Sequence, residues 1–358
     1  MLKKYSQWAN YGLFFLLLFL APLLLTEFRM GLLAKFLCFA IIAVGISLIW
    51  GYSGILSLGH GVFLGLGAYC MAMYLKLEAS PSGIPDFMEW NGITELPYIW
   101  TLFKSPIIAI LAAVLLPFII AAVIGYFTFK NRIKGVFFSL ISQAVVVVTV
   151  TLFIGGQHIT GGTSGLTNFF TVYHVPLADP ETKRILYFVT VVVLAIIMGV
   201  ALLLTKSRFG RLLIAIRDGE NRLRFLGYNP TFYKVFIYAL SAAFAGVAGA
   251  LFVLQVGIIT PEMMGIIPSI EMVLWVAIGG RHSILGAAIG AILTNSAKSF
   301  LSESYPDFWT IFLGVLFLIV VLYLPNGLAG LIEKLKIRFS NKEDLKEAKQ
   351  GEADTLVS

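Results

Sequence analysis

The sequence predicts an all-α, polytopic helical membrane protein of about ten transmembrane segments, with both termini inside and some segments broken or re-entrant. Three observations predict it. Apolar residues make up 59% of the 358-residue chain and charged residues only 13%, against roughly 45–50% and 25% in soluble domains. The apolar residues come in continuous runs of helical-span length rather than the alternating pattern of a membrane barrel. Lysine and arginine are shared unequally between the two sets of connecting loops. The same figures exclude a soluble globular enzyme, and they exclude disorder, which needs low hydrophobicity.

The apolar segments are, in order, Tyr11–Leu25, Met30–Trp50, Gly54–Leu75, Pro106–Phe129, Gly135–Ile154, Ile185–Leu204, Val235–Val256, Ile267–Ile278, Ile284–Leu301 and Phe308–Leu324. The first follows Lys3 and Lys4 but ends in Leu-Thr-Glu-Phe-Arg without a small-x-small cleavage site, so it reads as a span, not a signal peptide. The eighth is short, and with the ninth it reads as a pair of half-helices around a re-entrant turn. Residues 1–10 form a cytoplasmic N-terminus, 11–330 the membrane domain and 331–358 a polar cytoplasmic tail. With the N-terminus inside, the inner pieces 1–10, 51–53, 130–134, 205–234, 279–283 and 325–358 hold 19 of the 26 basic residues. The outer pieces hold five, Arg29, Lys76, Lys104, Lys183 and Arg184, while Lys35 and Lys298 fall within spans. This asymmetry fixes the direction and explains the net charge of +7 without a nucleic-acid partner. Cys38 and Cys70 lie inside apolar stretches and offer neither a disulfide framework nor metal-ligand spacing.

The loop 205–234 carries seven basic residues and a helix grammar. Asp218 stands at an N-cap position, Glu220 in the first turn, Arg222 and Arg224 toward the end, and Gly227 at C′ before Tyr228-Asn229-Pro230. The spacing predicts a helix of about two turns with Leu223 and Leu226 on one face, preceded by an amphipathic stretch ending at Arg217. Ser241–Phe252, SAAFAGVAGALF, contains the small-xxx-small pairs Ala242/Gly246, Ala245/Gly249 and Gly246/Ala250, a signal for close helix packing. Gly51–Tyr69 holds six glycines in 19 residues, which suits a broken helix beside protein or a water-filled path. His60 lies in that stretch and is a candidate for the substrate path, or a hydrogen-bond partner of a neighbouring helix. Thr163 and Ser164, in the outer stretch GGTSGLTN (161–168), Gln143 in the fifth span and Glu271 in the eighth complete the path candidates. Glu271 has the alternative of an interfacial site partnered by Lys298. The outer loop 76–105, with Trp90, Tyr98 and Trp100, is either an interfacial aromatic belt or a docking surface for an extracytoplasmic protein.

Two short matches point elsewhere. Gly51-Tyr52-Ser53-Gly54 and Gly162-Thr163-Ser164-Gly165 fit the G-x-S-G pattern of intramembrane serine proteases, with His60 as the available base. Gly155-Gly156-Gln157 resembles the end of an ABC ATPase signature. The chain contains no G-x-x-x-x-G-K-[ST] motif, so ATP is handled by another chain.

Seven stretches together resemble the permeases of the branched-chain amino acid ABC transporter family, and within it the permeases of the urea branch. They are GYSGILSLGHGVFLGLGAYCMAMYL (51–75), GVFFSLISQAV (135–145), TGGTSGLTNF (160–169), GRLLIAIRDGENRLRFLGYNPTFYK (210–234), LSAAFAGVAGALF (240–252), PSIEMVLWVAIGGRHSILGAAIGAIL (268–293) and LPNGLAG (324–330). The resemblance implies a multi-pass bacterial inner-membrane subunit paired with a homologous second permease. It also implies two ABC ATPase subunits that use ATP and Mg, an extracytoplasmic substrate-binding protein, and no cofactor or catalytic residue on this chain. By the same resemblance, Arg217, Asp218, Glu220, Arg222, Leu223, Arg224, Leu226 and Gly227 form the segment that couples to the ATPase. The alanines of the family's coupling pattern are replaced here by Asn221, Arg222 and Arg224. The resemblance of 222–228 and 268–285 to the urea branch makes urea or a short amide the expected substrate, with branched-chain amino acids the alternative. A neutral polar solute needs hydrogen-bond partners along its path but no fixed countercharge. A secondary transporter or channel working alone, and an intramembrane serine protease, are the competing classes.

Overall fold

The structure is a computed structural model that describes residues 2–80, 82–304 and 327–330, with Ile311, Gly314, Val315 and Leu318. It is built of helices with one two-stranded hairpin. Its elements are α1 (Leu2–Leu24), α2 (Glu27–Ser47), α3 (His60–Glu78), the short α4 (Asp86–Trp90) and α5 (Tyr98–Thr101), α6 (Pro106–Lys130) and α7 (Val136–Gly155). After the short α8 (Gln157–Thr160) come the hairpin β1 (Thr171–Val172) and β2 (Val175–Pro176), α9 (Pro180–Lys206), α10 (Arg208–Phe225), α11 (Pro230–Val256), α12 (Ile266–Gly279) and α13 (Ile284–Ser304).

Among the described residues six helices are long and apolar enough to cross a bilayer: Glu27–Tyr52, Pro106–Lys130, Val136–Gly155, Pro180–Lys206, Pro230–Val256 and Ile284–Glu303. Three boundaries differ from expectation for physical reasons. The third segment starts at His60, not Gly54, because α2 closes in a π-turn (Leu48–Tyr52) and the chain then runs without helix through 54–59. Of the expected half-helix pair only α12 is short. Its 14 residues span about 21 Å, less than a hydrocarbon core of about 30 Å, whereas the 21 residues of α13 are long enough to cross. The first helix begins at Leu2, so it takes in the residues expected as a cytoplasmic N-terminus as well as the first apolar segment. The tenth expected segment, Phe308–Leu324, lies largely outside the described residues, and the tail 331–358 lies wholly outside them.

The core is organised on α11, which packs against α6, α3 and α2. The sequence explains the close approach. On α6 the buried residues Ala109, Ala113, Pro117, Ala121 and Gly125 recur every fourth position, a narrow stripe that faces α11. The offset stripe Ile107, Leu111, Leu115 and Ile119 is exposed, as a lipid-facing surface requires. A Cβ on Gly246 would collide with the Ala113 carbonyl, and one on Gly249 with the Leu64 carbonyl of α3. The small-xxx-small pairs are therefore the seam of the molecule. α13 lies against α2 and α12, and α9 against α2.

The helix ends sort onto two faces. On one, Glu220 meets Lys134, Arg217 meets Gly51 and His282, and the Lys206 ammonium sits 4.5 Å over the Trp8 ring. On the other, Lys76 bonds Asp86 and the Thr167 carbonyl, and Leu166 bridges Ile259. Here too Glu78 accepts from Tyr173 N and His174 N, pinning the tip of the β1–β2 hairpin, whose two turn residues both have positive φ.

Candidate functional site: a bent basic helix below a broken span

α10 protrudes at the first face as a bent helix. Ser207 caps it, its Oγ accepting from Phe209 N and Gly210 N. The helix breaks at Gly219 (φ −173°, ψ 68°), so the two expected stretches are two halves of one bent element. The end matches expectation: Gly227 N donates to the Arg224 carbonyl and Tyr228 N to the Leu223 carbonyl, a Schellman closure with Gly227 at φ +84°. Asp218 differs from its expected capping role. Its carboxylate accepts from Arg217 Nε at 2.8 Å, and that hydrogen bond holds its pKa below the usual aspartate range.

The two halves are anchored by different residues. In the first, Arg217 Nη1 donates to the Gly51 carbonyl at the end of the α2 π-turn (2.7 Å) and lies 3.4 Å from His282 Nδ1 in the α12–α13 turn. Arg281 Nε reaches the other ring nitrogen at 3.2 Å, and the Arg281 guanidinium lies over Trp50. Burial, with Arg281 and Arg217 beside it, keeps the His282 pKa below the ordinary histidine range. A neutral imidazole has one acceptor nitrogen, so the two arginines compete for it. In the second half, buried Glu220 accepts from Lys234 Nζ of α11 (2.6 Å), Arg224 (2.8 Å) and Lys134 Nζ of the α6–α7 loop (2.8 Å). Burial pushes this carboxyl up, but bonds from Lys134, Lys234 and Arg224 outweigh it and hold the pKa at about 2. A cavity of about 130 Å³ lies between, lined by Ser53, Gly54, Lys134, Arg217, Glu220 and Lys234 among others.

The expected face of Leu223 and Leu226 is not formed. Leu223 is buried with Leu213 and Ile216, whereas Leu226 is 73% exposed. Its exposed neighbours are Phe225, at 91%, with Arg222 and Phe232. Leu226 N still bonds the Arg222 carbonyl, so the two differ in burial: Leu223 continues the packed stripe and Leu226 stands at the exposed end of the helix.

Above this helix the broken span 54–59 is stitched to α7. Ser139 Oγ donates to the Leu56 carbonyl (2.8 Å), Leu58 N donates to Ser142 Oγ (3.0 Å), and Ser142 Oγ donates to the Ser139 carbonyl. At the start of α3, His60 Nε2 lies 2.9 Å from Ser241 Oγ and Gly61 N donates to Ser269 Oγ (3.2 Å). His60 is wholly buried, with Phe63 and Tyr238 against its ring. These serines satisfy backbone groups that the break would otherwise leave unpaired inside a membrane.

The five path candidates therefore lie apart. His60 belongs to the buried serine cluster, and Gln143 is half-buried on α7 next to Ser142. Thr163 and Ser164 are exposed on a short 3₁₀ turn, Gly162–Ser164. Glu271 pairs with Lys298 of α13 through both oxygens at 2.8 Å, the partnership foreseen as its alternative. None of the five lines the cavity under α10 or the cavity of about 440 Å³ at the opposite face, beside Tyr74, Glu78, Lys104 and His174. The protease arrangement is not formed. Ser53 Oγ donates to the Ile49 carbonyl, Ser164 is exposed, and the His60 ring is taken by Ser241. Lys134, Lys234, Gly51, His282, Ser142 and Ser269 are members that sequence reasoning missed. Lys134 and Lys234 had been visible only as basic loop residues.

A polytopic helical bundle with a broken span and a basic helix braced on one face defines a multi-pass membrane protein. The chain belongs to the family described as branched-chain amino acid transport system / permease component, whose family model matches residues 28–321. It is 24% identical over 333 residues to the high-affinity branched-chain amino acid transport system permease protein LivM of Salmonella typhimurium, covering 86% of this chain and 71% of that protein. It is 24% identical over 321 residues to BraD of Pseudomonas aeruginosa, described in the same terms, covering 84% and 94%. A shorter match, 30% over 151 residues, covering 40% and 41%, is to the autoinducer 2 import system permease protein LsrC of Yersinia enterocolitica. No solved structure matches the chain. The protein is thus a multi-pass permease of the bacterial inner membrane.

Proposed function

We propose that this chain is one of two homologous permease subunits of an ABC importer, moving branched-chain amino acids with energy from two ATPase subunits. The observation that carries the reading is α10. Its base is braced by Arg217 and Glu220 while Phe225 and Leu226 stand out at 91% and 73% exposure on the lysine- and arginine-rich face. An apolar tip on a braced basic helix suits a cytoplasmic ATPase partner. The pinned hairpin and the loop 76–105 on the opposite face suit a soluble binding protein. The substrate class rests on the relatives LivM and BraD, both described as branched-chain amino acid permeases. Urea or a short amide is the second reading, favoured by the stretches 222–228 and 268–285 and by the neutral serine–histidine cluster at the break.

Reconstitution with the partner permease, ATPases and binding protein tests both levels. We expect ATP-dependent uptake of leucine, isoleucine or valine. Uptake of urea in their place selects the second substrate. Uptake by this chain alone, without ATP, overturns the importer reading in favour of a self-sufficient transporter or channel.

A further inference from the structure

We propose that the bend at Gly219 makes α10 a two-armed linkage, with Arg217 as the internal strut that carries motion of the helix to the broken span. The inference rests on the importer reading and deepens it, because Arg217 then faces the membrane domain and not the ATPase.

The argument comes from where each half is tied. Arg217, one residue before Asp218 and two before the break, is fastened to the α2 π-turn through the Gly51 carbonyl and stands against His282 of the α12–α13 turn. Asp218 holds the guanidinium from its other side through Nε, so the planar fork serves two directions at once. Glu220, one residue after the break, is fastened to α11 through Lys234 and to the α6–α7 loop through Lys134. The two arms therefore end on two different helix groups, α2 with α12–α13 and α6–α7 with α11. The residue between them has backbone angles outside the helix.

The strut's far end is closely packed. A Cβ on Gly51 would fall on the Arg281 carbonyl, so the α2 end and the α12–α13 turn touch backbone to backbone. A Cβ on Gly54 would lie 2.9 Å from Arg217 Cγ, so the strut's own stem presses on the first residue of the non-helical run. That run leads directly to the serine-stitched start of α3. Displacement of the exposed tip thus reaches the break through the Gly219 bend, the Arg217 strut and its contacts with Gly51 and Gly54.

The test uses the whole reconstituted importer and reads ATP hydrolysed per substrate moved. Arg217→Ala is expected to assemble with the ATPases and to raise that ratio about tenfold or more. Arg217→Lys keeps the charge but cannot serve Asp218, Gly51 and His282 together, and is expected to raise it about two- to fivefold. A purely structural role would lower the yield of complex and leave the ratio of the surviving complex at the wild-type value, which overturns the proposal. Should Arg217→Ala fail to assemble, Arg217→Lys decides: a raised ratio supports the strut and a wild-type ratio overturns it. A wild-type complex without ATP-dependent uptake overturns the importer reading, and the strut with it.

Discussion

Glu220 shows how much one buried carboxylate organises. It sits against three cations, and its side chain is 8% exposed. With a folded pKa of about 2 against an ordinary glutamate value near 4.3, its contribution to stability is complete above the unfolded value. It is lost as pH falls from about 4.5 through about 2. The detergent-solubilised protein should therefore show a thermal midpoint that drops across that window. Glu220→Gln should be less stable at neutral pH, with a flatter dependence below pH 4.5. An identical acid slope in the variant would show that other carboxylates carry it. The sequence offered Glu220 as a favourable charge in a helix's first turn. Its three partners come from 134, 224 and 234, and only Arg224, one turn away, follows from helix periodicity. Leu223 and Leu226 make the same point from the other side: spacing put them on one face, and only the first is covered by neighbours.

At the scale of elements, the legible features were those encoded by residue types that leave few alternatives. Gly227 before Tyr-Asn-Pro ended α10 where expected, because left-handed backbone at C′ favours glycine. Gly227→Ala should cost about 1 kcal/mol and fray the tip, measurable as weaker co-purification of the ATPases. The SAAFAGVAGALF stretch became the α11 seam because a helix with so little side-chain bulk can approach two neighbours at once. Gly246→Val is predicted to destabilise by at least about 1–3 kcal/mol, seen as loss of monodisperse protein. The break after α2 was signalled by glycine density, but its position at 54–59 was not. That position depends on Ser139 and Ser142 of α7, some 80 residues away, supplying the partners for Leu56 and Leu58. The exposed tip is the element's functional prediction. Phe225→Asp together with Leu226→Asp should leave membrane insertion intact and abolish ATPase co-purification, whereas retention of the ATPases would remove the tip from the interface.

For the whole molecule, the lysine and arginine asymmetry anticipated the two faces that the helix ends define. The counting rule assigns the face that bears α10 to the inside because short basic loops stay on the cytoplasmic side. Cysteine labelling in intact cells should find 222 and 226 unreactive to impermeant reagents from outside and 83 and 174 reactive; the reverse pattern would invert the arrangement. The substrate path was far less legible. Polar residues inside apolar segments marked His60, Gln143 and Glu271, but whether such a group faces a path or closes a gap is decided by its neighbours. For His60 the neighbour is Ser241, and for Glu271 it is Lys298. The hairpin on the face opposite α10 has a mechanical consequence. Its tip is held by two backbone N–H hydrogen bonds to the carboxylate of Glu78, the last residue of α3, and the first residue of α3 is His60 at the interrupted span. One continuous helix therefore joins the hairpin to the interrupted span, so a protein that grips the hairpin has leverage on that interruption without entering the membrane.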